Sequence, residues 1–215
     1  MIAICAFCFL LLLAFLIGSI PFAFILVWRI KRIDVRTVGS GNPGATNVAR
    51  VLGKPMGFLV LFLDILKGAA PAWFFPLILQ APPFQSQIPV VLTVRGAELC
   101  MGLAAFLGHC YSPLLRFKGG KGVATALGVY LVVAPKATLL TLVVCVLIIL
   151  TTRMISLASI TGAVLLPAAL LAFDWHGKAS PWVPFGVTAL LGAVVLFRHR
   201  SNIRRILAGR ESKFT

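Results

Sequence analysis

Five apolar runs of about membrane-crossing length, at residues 2–28, 56–80, 88–109, 157–173 and 182–197, dominate this chain. An α-helix rises about 1.5 Å per residue, so ~20 apolar residues match a hydrocarbon core of about 30 Å. Inside that core every backbone N–H and C=O must be paired within the segment, and a run of this kind therefore folds as a helix. A soluble globular enzyme is excluded by the same pattern, since 60% of the residues are of the types AVILMFWYC and the mean hydropathy is +1.03. The first run has no Lys or Arg before it and no small-residue cleavage site before Arg29, so it reads as a membrane span and not as a signal peptide.

A sixth apolar stretch, 122–152, is 31 residues long, more than one span needs and less than two comfortable ones take. Pro135 and Lys136 near its middle predict two short helices, 122–134 and 137–152, meeting in a hairpin. Basic residues decide between the readings, because Lys and Arg collect on cytoplasmic loops. With seven spans, sixteen of the 20 Lys and Arg face the cytoplasm and only Lys136 and Lys178 face outside. With six spans the asymmetry falls to ten against seven. The expectation is an all-α integral membrane protein of seven transmembrane helices, one domain over 1–215, with the N-terminus outside (periplasmic) and the C-terminus cytoplasmic.

Two further cations lie within spans, each three residues from an acid: Asp64 with Lys67, and Arg95 with Glu98. At that spacing a pair neutralises itself on one helix face, as a packing element or as part of an ion path. The five cysteines sit mostly in apolar runs without metal-binding spacing and read as packing filler. A formal charge of +15 suits anionic lipid or an anionic substrate. Nucleic acid fits least and is not expected as a partner, since most of the chain would be out of its reach.

The seven-span arrangement puts every polar cluster on the cytoplasmic side. Residues 39–50 read GSGNPGATNVAR. Their G-x-G-x-x-G is not a dinucleotide fingerprint, because a membrane helix and not a strand precedes it. Gly39, Gly41 and Gly44 allow positive φ and close approach, so that backbone N–H groups, with Asn42 among them, can converge on an anion. Ser40, Thr46 and Asn47 add side-chain donors, and Arg50 adds charge. The second cluster, 117–122, reads FKGGKG. It lacks the residues of a P-loop, yet it sets Lys118 and Lys121 beside Gly119 and Gly120 at a helix start, which favours phosphate. A lipid-headgroup anchor needs only the lysines.

Arg153 and Ser156 lie in the short loop before the sixth span. The tail from 198 to 207 forms an amphipathic turn with Ser201 as its N-cap and Gly209 as its stop, and His199 and Asn202 share one face of it. Cytoplasmic acids are limited to Asp34 and Glu211, and no His-x-x-x-x-Asp occurs. Paired-carboxylate and two-metal chemistry therefore lack their groups, and neither a metal nor another cofactor is expected.

These motifs, GSGNPGATNVAR, GHCYSPLLRFKGGKGVAT at 108–125 and RHRSNIRRILAGRE at 198–211, are similar to those of the bacterial acyl-phosphate:glycerol-3-phosphate acyltransferase family. Pro43 departs from the aliphatic residue often found there. The resemblance implies a seven-span enzyme of the bacterial plasma (inner) membrane with its active site facing the cytoplasm. It would join an acyl phosphate to glycerol 3-phosphate, giving lysophosphatidic acid, as the first committed step of phospholipid synthesis. It implies Ser40, Thr46, Asn47 and Arg50 at one phosphate, and Lys118, Ser156, His199 and Asn202 at the acyl transfer, with Lys121 and Arg153 beside them. Partners would be the two substrates, membrane lipid and functional coupling to a soluble acyl-phosphate-forming enzyme, the chain itself being a monomer. The rival classes are an organophosphate transporter, for which no internal repeat is visible, and a metal-dependent lipid-phosphate transferase, for which the Asp residues are missing.

Overall fold

The computed structural model describes residues 2–82, 84, 94–174 and 182–214. All regular structure among them is helical. In order these are α1 (Ile2–Ser19), α2 (Phe22–Lys31), α3 (Ala45–Leu52), α4 (Lys54–Gln80), α5 (Val94–Cys110), α6 (Val123–Val133), α7 (Pro135–Thr152), α8 (Ile155–Phe173), α9 (Trp182–Arg198) and α10 (Arg200–Leu207). The chain divides into two compact units, Met1–Val133 and Ala134–Thr215.

Four helical stretches are long and apolar enough to cross a membrane: 2–31 (α1 with α2), α4, α7 and α8. A fifth is α9 taken together with α10, which bends away from it by 62°. The expected break at Pro135 is present, with the backbone leaving the helix at Ala134, but it divides the stretch unevenly, into 11 residues of α6 and 18 of α7. Residues 88–93 of the expected third span, the loop residues 175–181 and Lys178 lie outside the described residues. One element, α3, forms within the stretch read from the sequence as an anion-binding loop: it is short and apolar on a single face, so it carries no span signal.

In the first unit α4 packs on α5 and α6, α1 packs on α5, and α3 lies along α4. Small residues let these helices meet closely, as they must where no hydrophobic force separates helix from lipid. A Cβ on Gly68 would lie 2.2 Å from the Thr125 carbonyl oxygen, and one on Gly128 2.0 Å from that of Ile65.

Both expected i,i+3 ion pairs form, and each cation does a second job. Lys67 Nζ lies 2.7 Å from Asp64 Oδ1 and donates at 2.8 Å to the carbonyl of Ile20, where Pro21 ends α1. Arg95 Nη1 lies 3.3 Å from Glu98 Oε2 and donates to the carbonyls of Val132 (3.1 Å) and Val133 (2.6 Å), where α6 ends. The last carbonyls of a helix have no intrahelical donor. Each pair therefore supplies a neutralised cation to one helix end.

In the second unit α8 packs against α7, α9 and α10. Asp174 Oδ2 accepts the Ala137 N–H at 2.7 Å and so caps the start of α7. The tail helix differs from expectation at one end. It starts at Arg200 with His199 as N-cap, and Ser201 is already helical. Its stop is a Schellman turn, with Gly209 at φ +66° donating to Ile206 and the Arg210 N–H bonding to Arg205 O at 2.8 Å.

Candidate active site

The first loop is built around one side chain. Asn47 is fully buried; its Nδ2 donates to the carbonyls of Val35 and Val38 at 3.0 Å each, and its Oδ1 accepts the Ser40 N–H at 2.9 Å. Gly39 must be glycine here, since its φ is +60° and a Cβ would lie 2.2 Å from Asn47 Oδ1. The Gly44 carbonyl accepts from the Asn47 and Val48 N–H groups and starts α3. Asn47 is thus occupied in shaping the loop, which leaves Ser40, Gly41 and Arg50 exposed and Asn42, Gly44 and Thr46 half-buried. Thr46 and Arg50 share one face of α3 at i,i+4 spacing.

Just before the loop, Asp34 is consumed by Arg36, whose Nη2 donates to Asp34 Oδ2 at 2.6 Å and whose Nε donates to both oxygens at 3.0 Å. That guanidinium holds the Asp34 carboxyl below the usual carboxylate range, outweighing a partial burial that acts the other way. Arg36 Nη1 also donates to Leu115 O at 3.1 Å and ties the first loop to the second.

The second loop runs from a 3-10 turn at Pro113–Leu115 into α6. Arg116 (φ 53°) and Phe117 (φ 61°) take left-handed conformations that cost side-chain-bearing residues about 1–2 kcal/mol each. The Ser112 carbonyl holds them there by accepting from Leu115 N–H and Phe117 N–H. Lys118 is exposed and Lys121 half-buried, while Gly119 and Gly120 are buried. The glycines have a packing reason that the sequence does not display: they lie against the end of α5, where a Cβ on Gly119 would be 2.1 Å from His109 O and one on Gly120 2.2 Å from His109 Nε2. Their presence alone therefore does not separate a phosphate loop from a lipid anchor. A small, partly open cleft is bordered by Pro43 of the first loop and Gly120 of the second, and its polar lining includes Asp64, Lys67, His109 and Ser112.

The second unit gathers the remaining expected residues. Arg153 is exposed and ends α7 in a left-handed conformation (φ 58°), with its carbonyl accepting the Phe214 N–H at 2.8 Å. Ser156, His199 and Asn202 are 9%, 3% and 6% exposed, so the last two point away from the polar face of α10 that Arg204 and Arg205 occupy. His199 Nδ1 lies 2.8 Å from Val195 O. A carbonyl only accepts, so Nδ1 carries the proton and the neutral ring has its lone pair at Nε2.

Glu211 is the residue that sequence reasoning missed. Its Oε1 accepts from Ser156 Oγ (2.8 Å) and Asn202 Nδ2 (2.6 Å), and its Oε2 from Arg205 Nε (2.7 Å). Burial pushes its pKa up, but Arg205, Asn202 and Ser156 together hold it below the usual range. Ser156 donates its only proton to this carboxylate, so toward any ligand its oxygen can only accept. Among the described residues no group of three His, Cys, Asp or Glu could hold a metal ion.

Residues 8–209 match the family model of glycerol-3-phosphate acyltransferases. This chain belongs to the glycerol-3-phosphate acyltransferase family. Relatives of that name include one from Trichlorobacter lovleyi, 45% identical and covering 94% of each chain. Another, from Aquifex aeolicus, is 44% identical over 96% of this chain and 98% of its own. Among solved structures, PlsY, an integral membrane glycerol 3-phosphate acyltransferase, matches in its glycerol 3-phosphate form with a TM-score of 0.81 and 42% identity, over 97% of this chain and 96% of that one. Its lysophosphatidic acid form matches with a TM-score of 0.76 and 41% identity, over 97% and 95%. The acyltransferase fold is thus an all-helical integral membrane one, and the resemblance read from the three motifs extends over nearly the whole chain.

Proposed function

We propose that this acyltransferase moves an acyl group from an acyl phosphate to the 1-hydroxyl of sn-glycerol 3-phosphate. The hydroxyl oxygen bonds to the carbonyl carbon, the carbonyl carbon–oxygen bond of the mixed anhydride breaks, and lysophosphatidic acid and inorganic phosphate form. The observation that carries the reading is the family match from 8 to 209, within which lie all three polar clusters except the last residues of the tail.

An acyl phosphate brings an activated carbonyl, and both substrates bring phosphate. Anion binding and orientation can then supply much of the rate. Ser40, Thr46 and Arg50, with the backbone at Gly39, Gly41, Asn42 and Gly44, are assigned to one phosphate, and Asn47 to the shape of that loop. Lys118 and Lys121, with Gly119 and Gly120, are assigned to the other. In the second unit Ser156, His199 and Asn202 are assigned to the reacting groups and Arg153 to phosphate. The donor brings its own phosphate oxygens to the reacting centre, so a substrate phosphate oxygen takes the hydroxyl proton while His199 and Asn202 orient the reactants.

The topology we propose has seven spans, counting α1 with α2 as one, then α4 to α9 singly, with the N-terminus outside and the C-terminus inside. The protein would sit as a monomer in the bacterial inner membrane, face the cytoplasm with its site, and be fed by a soluble acyl-phosphate-forming enzyme. The basic asymmetry and the break at Ala134 support this arrangement.

The test is turnover by the purified protein. Palmitoyl phosphate and glycerol 3-phosphate should give lysophosphatidic acid and inorganic phosphate one for one without added metal. Equal rates with palmitoyl-CoA, loss of activity on chelation, or transport of glycerol 3-phosphate into vesicles without acylation would each sink the reading.

A further inference from the structure

Three buried ionisable side chains stand outside the chemistry assigned above: Asp64, Lys67 and His109, which are 2%, 4% and 7% exposed. Burying charge costs several kcal/mol per ion, and a well-packed apolar replacement is often no less stable, so such a cluster calls for a use. Lys67 has one at the end of α1. Asp64 Oδ1 faces two nitrogens, Lys67 Nζ at 2.7 Å and His109 Nδ1 at 3.6 Å.

The opposite edge of the His109 ring supports the second loop. A Cβ built on Gly120 would have its three nearest neighbours all in this ring, at 2.2 Å (Nε2), 2.8 Å (Cε1) and 3.2 Å (Cδ2). The Gly120 N–H also donates to the His109 carbonyl at 3.1 Å. The two glycines between Lys118 and Lys121 therefore rest on the ring and the carbonyl of one residue. Because Nδ1 and Nε2 are on the same rigid ring, a rotation that takes one away from Asp64 moves the other beneath Gly120.

We infer that Asp64 and His109 are positioning residues for the phosphate-binding loop: Asp64 orients the His109 ring, and the ring sets the Gly119–Gly120 backbone and the points at which Lys118 and Lys121 meet phosphate. The inference rests on the reading of this loop as phosphate-binding. It predicts a selective defect in binding one phosphate substrate, where a merely structural role predicts loss of folded protein at unchanged kinetics.

The test measures initial rates in detergent, varying glycerol 3-phosphate and palmitoyl phosphate in turn, on protein that elutes as a single species. Gly120→Ala should raise KM for one of the two substrates about tenfold or more with kcat nearly kept. His109→Ala should raise the same KM, and Asp64→Asn should raise it by less. The double variant His109→Ala with Gly120→Ala should be no worse than His109→Ala, because the added methyl then has room. Wild-type KM values in Gly120→Ala, or a Gly120→Ala factor that multiplies in full on the His109→Ala background, would overturn the inference. A wild-type KM in Asp64→Asn would remove Asp64 from it. If the His109 variants do not fold, Gly120→Ala and Asp64→Asn decide by the same criteria. Lys118→Ala separates the two readings: unchanged KM for both substrates there refutes the phosphate loop itself, whereas a raised KM with a wild-type Gly120→Ala refutes only the positioning.

Discussion

Replacing Glu211 by alanine removes the acceptor on which Ser156, Asn202 and Arg205 converge. Hydrogen bonds to a charged group contribute about 1.5–3 kcal/mol each. Ser156 and Asn202 are buried and count in full, whereas Arg205, 44% exposed, adds about 0–1 kcal/mol. The gross loss of about 3–6 kcal/mol is partly offset because no carboxylate need be desolvated, which leaves about 2–4 kcal/mol. Glu211→Gln keeps an oxygen for Ser156 and Asn202 but only as neutral bonds, so it should lose about 1–2 kcal/mol. Thermal unfolding of the purified protein in detergent should rank wild type above Gln above Ala. The folded carboxyl titrates below its ordinary value, so the stabilisation is present above about pH 4.5 and is lost as pH falls through the folded pKa. The Gln variant should lack that acid limb. An alanine variant that unfolds with the wild type, or a Gln variant that keeps the limb, would refute the argument.

Asn47→Asp puts a carboxylate oxygen where Nδ2 now donates to two carbonyls and should destabilise by about 2–4 kcal/mol, more than Asn47→Ala; equal unfolding temperatures for Asn47→Asp and wild type would contradict this. His199→Gln should stay measurably active, well above His199→Ala and without a changed pH–rate profile, if a substrate phosphate takes the proton. A limb near pH 6–7 in the wild type that vanishes from the residual activity of either variant would make His199 the base. In a cysteine-free background on intact cells, an impermeant thiol reagent should label Ser180→Cys and spare Ser212→Cys, and labelling of the latter would end the seven-span topology.

What the sequence displayed was what periodicity and local spacing can encode. The spans, the break near Pro135 and the i,i+3 ion pairs are all properties of neighbours along the chain. The contacts that shape the sites are not. Ser156 and Glu211 are 55 residues apart, and Ser112 and Ser19, joined by a 2.7 Å hydrogen bond, are 93 apart. Asn47 looked like a phosphate donor because its loop is rich in donors, whereas burial turns its amide toward Val35 and Val38. Ser201 looked like an N-cap by residue type, yet after the 62° bend that follows α9 the tail helix starts at Arg200, two residues earlier than a Ser201 cap would place it. The glycines at 119 and 120 looked permissive, and only the fold shows the ring they rest on.

The two capped helix ends differ in when their caps become available during synthesis. Arg95 is made before the Val132 and Val133 carbonyls it serves, so α6 can find its cation as it forms. Lys67 follows Ile20 by 47 residues, which at roughly 5–20 residues per second is a delay of about 2–9 s. During that interval the Ile20 carbonyl has no Lys67, and water or lipid headgroups must serve in its place. The junction at Ile20–Pro21 is therefore completed late, and a ribosome stalled before α4 should hold a first span whose crosslinking pattern to lipid changes once Lys67 emerges.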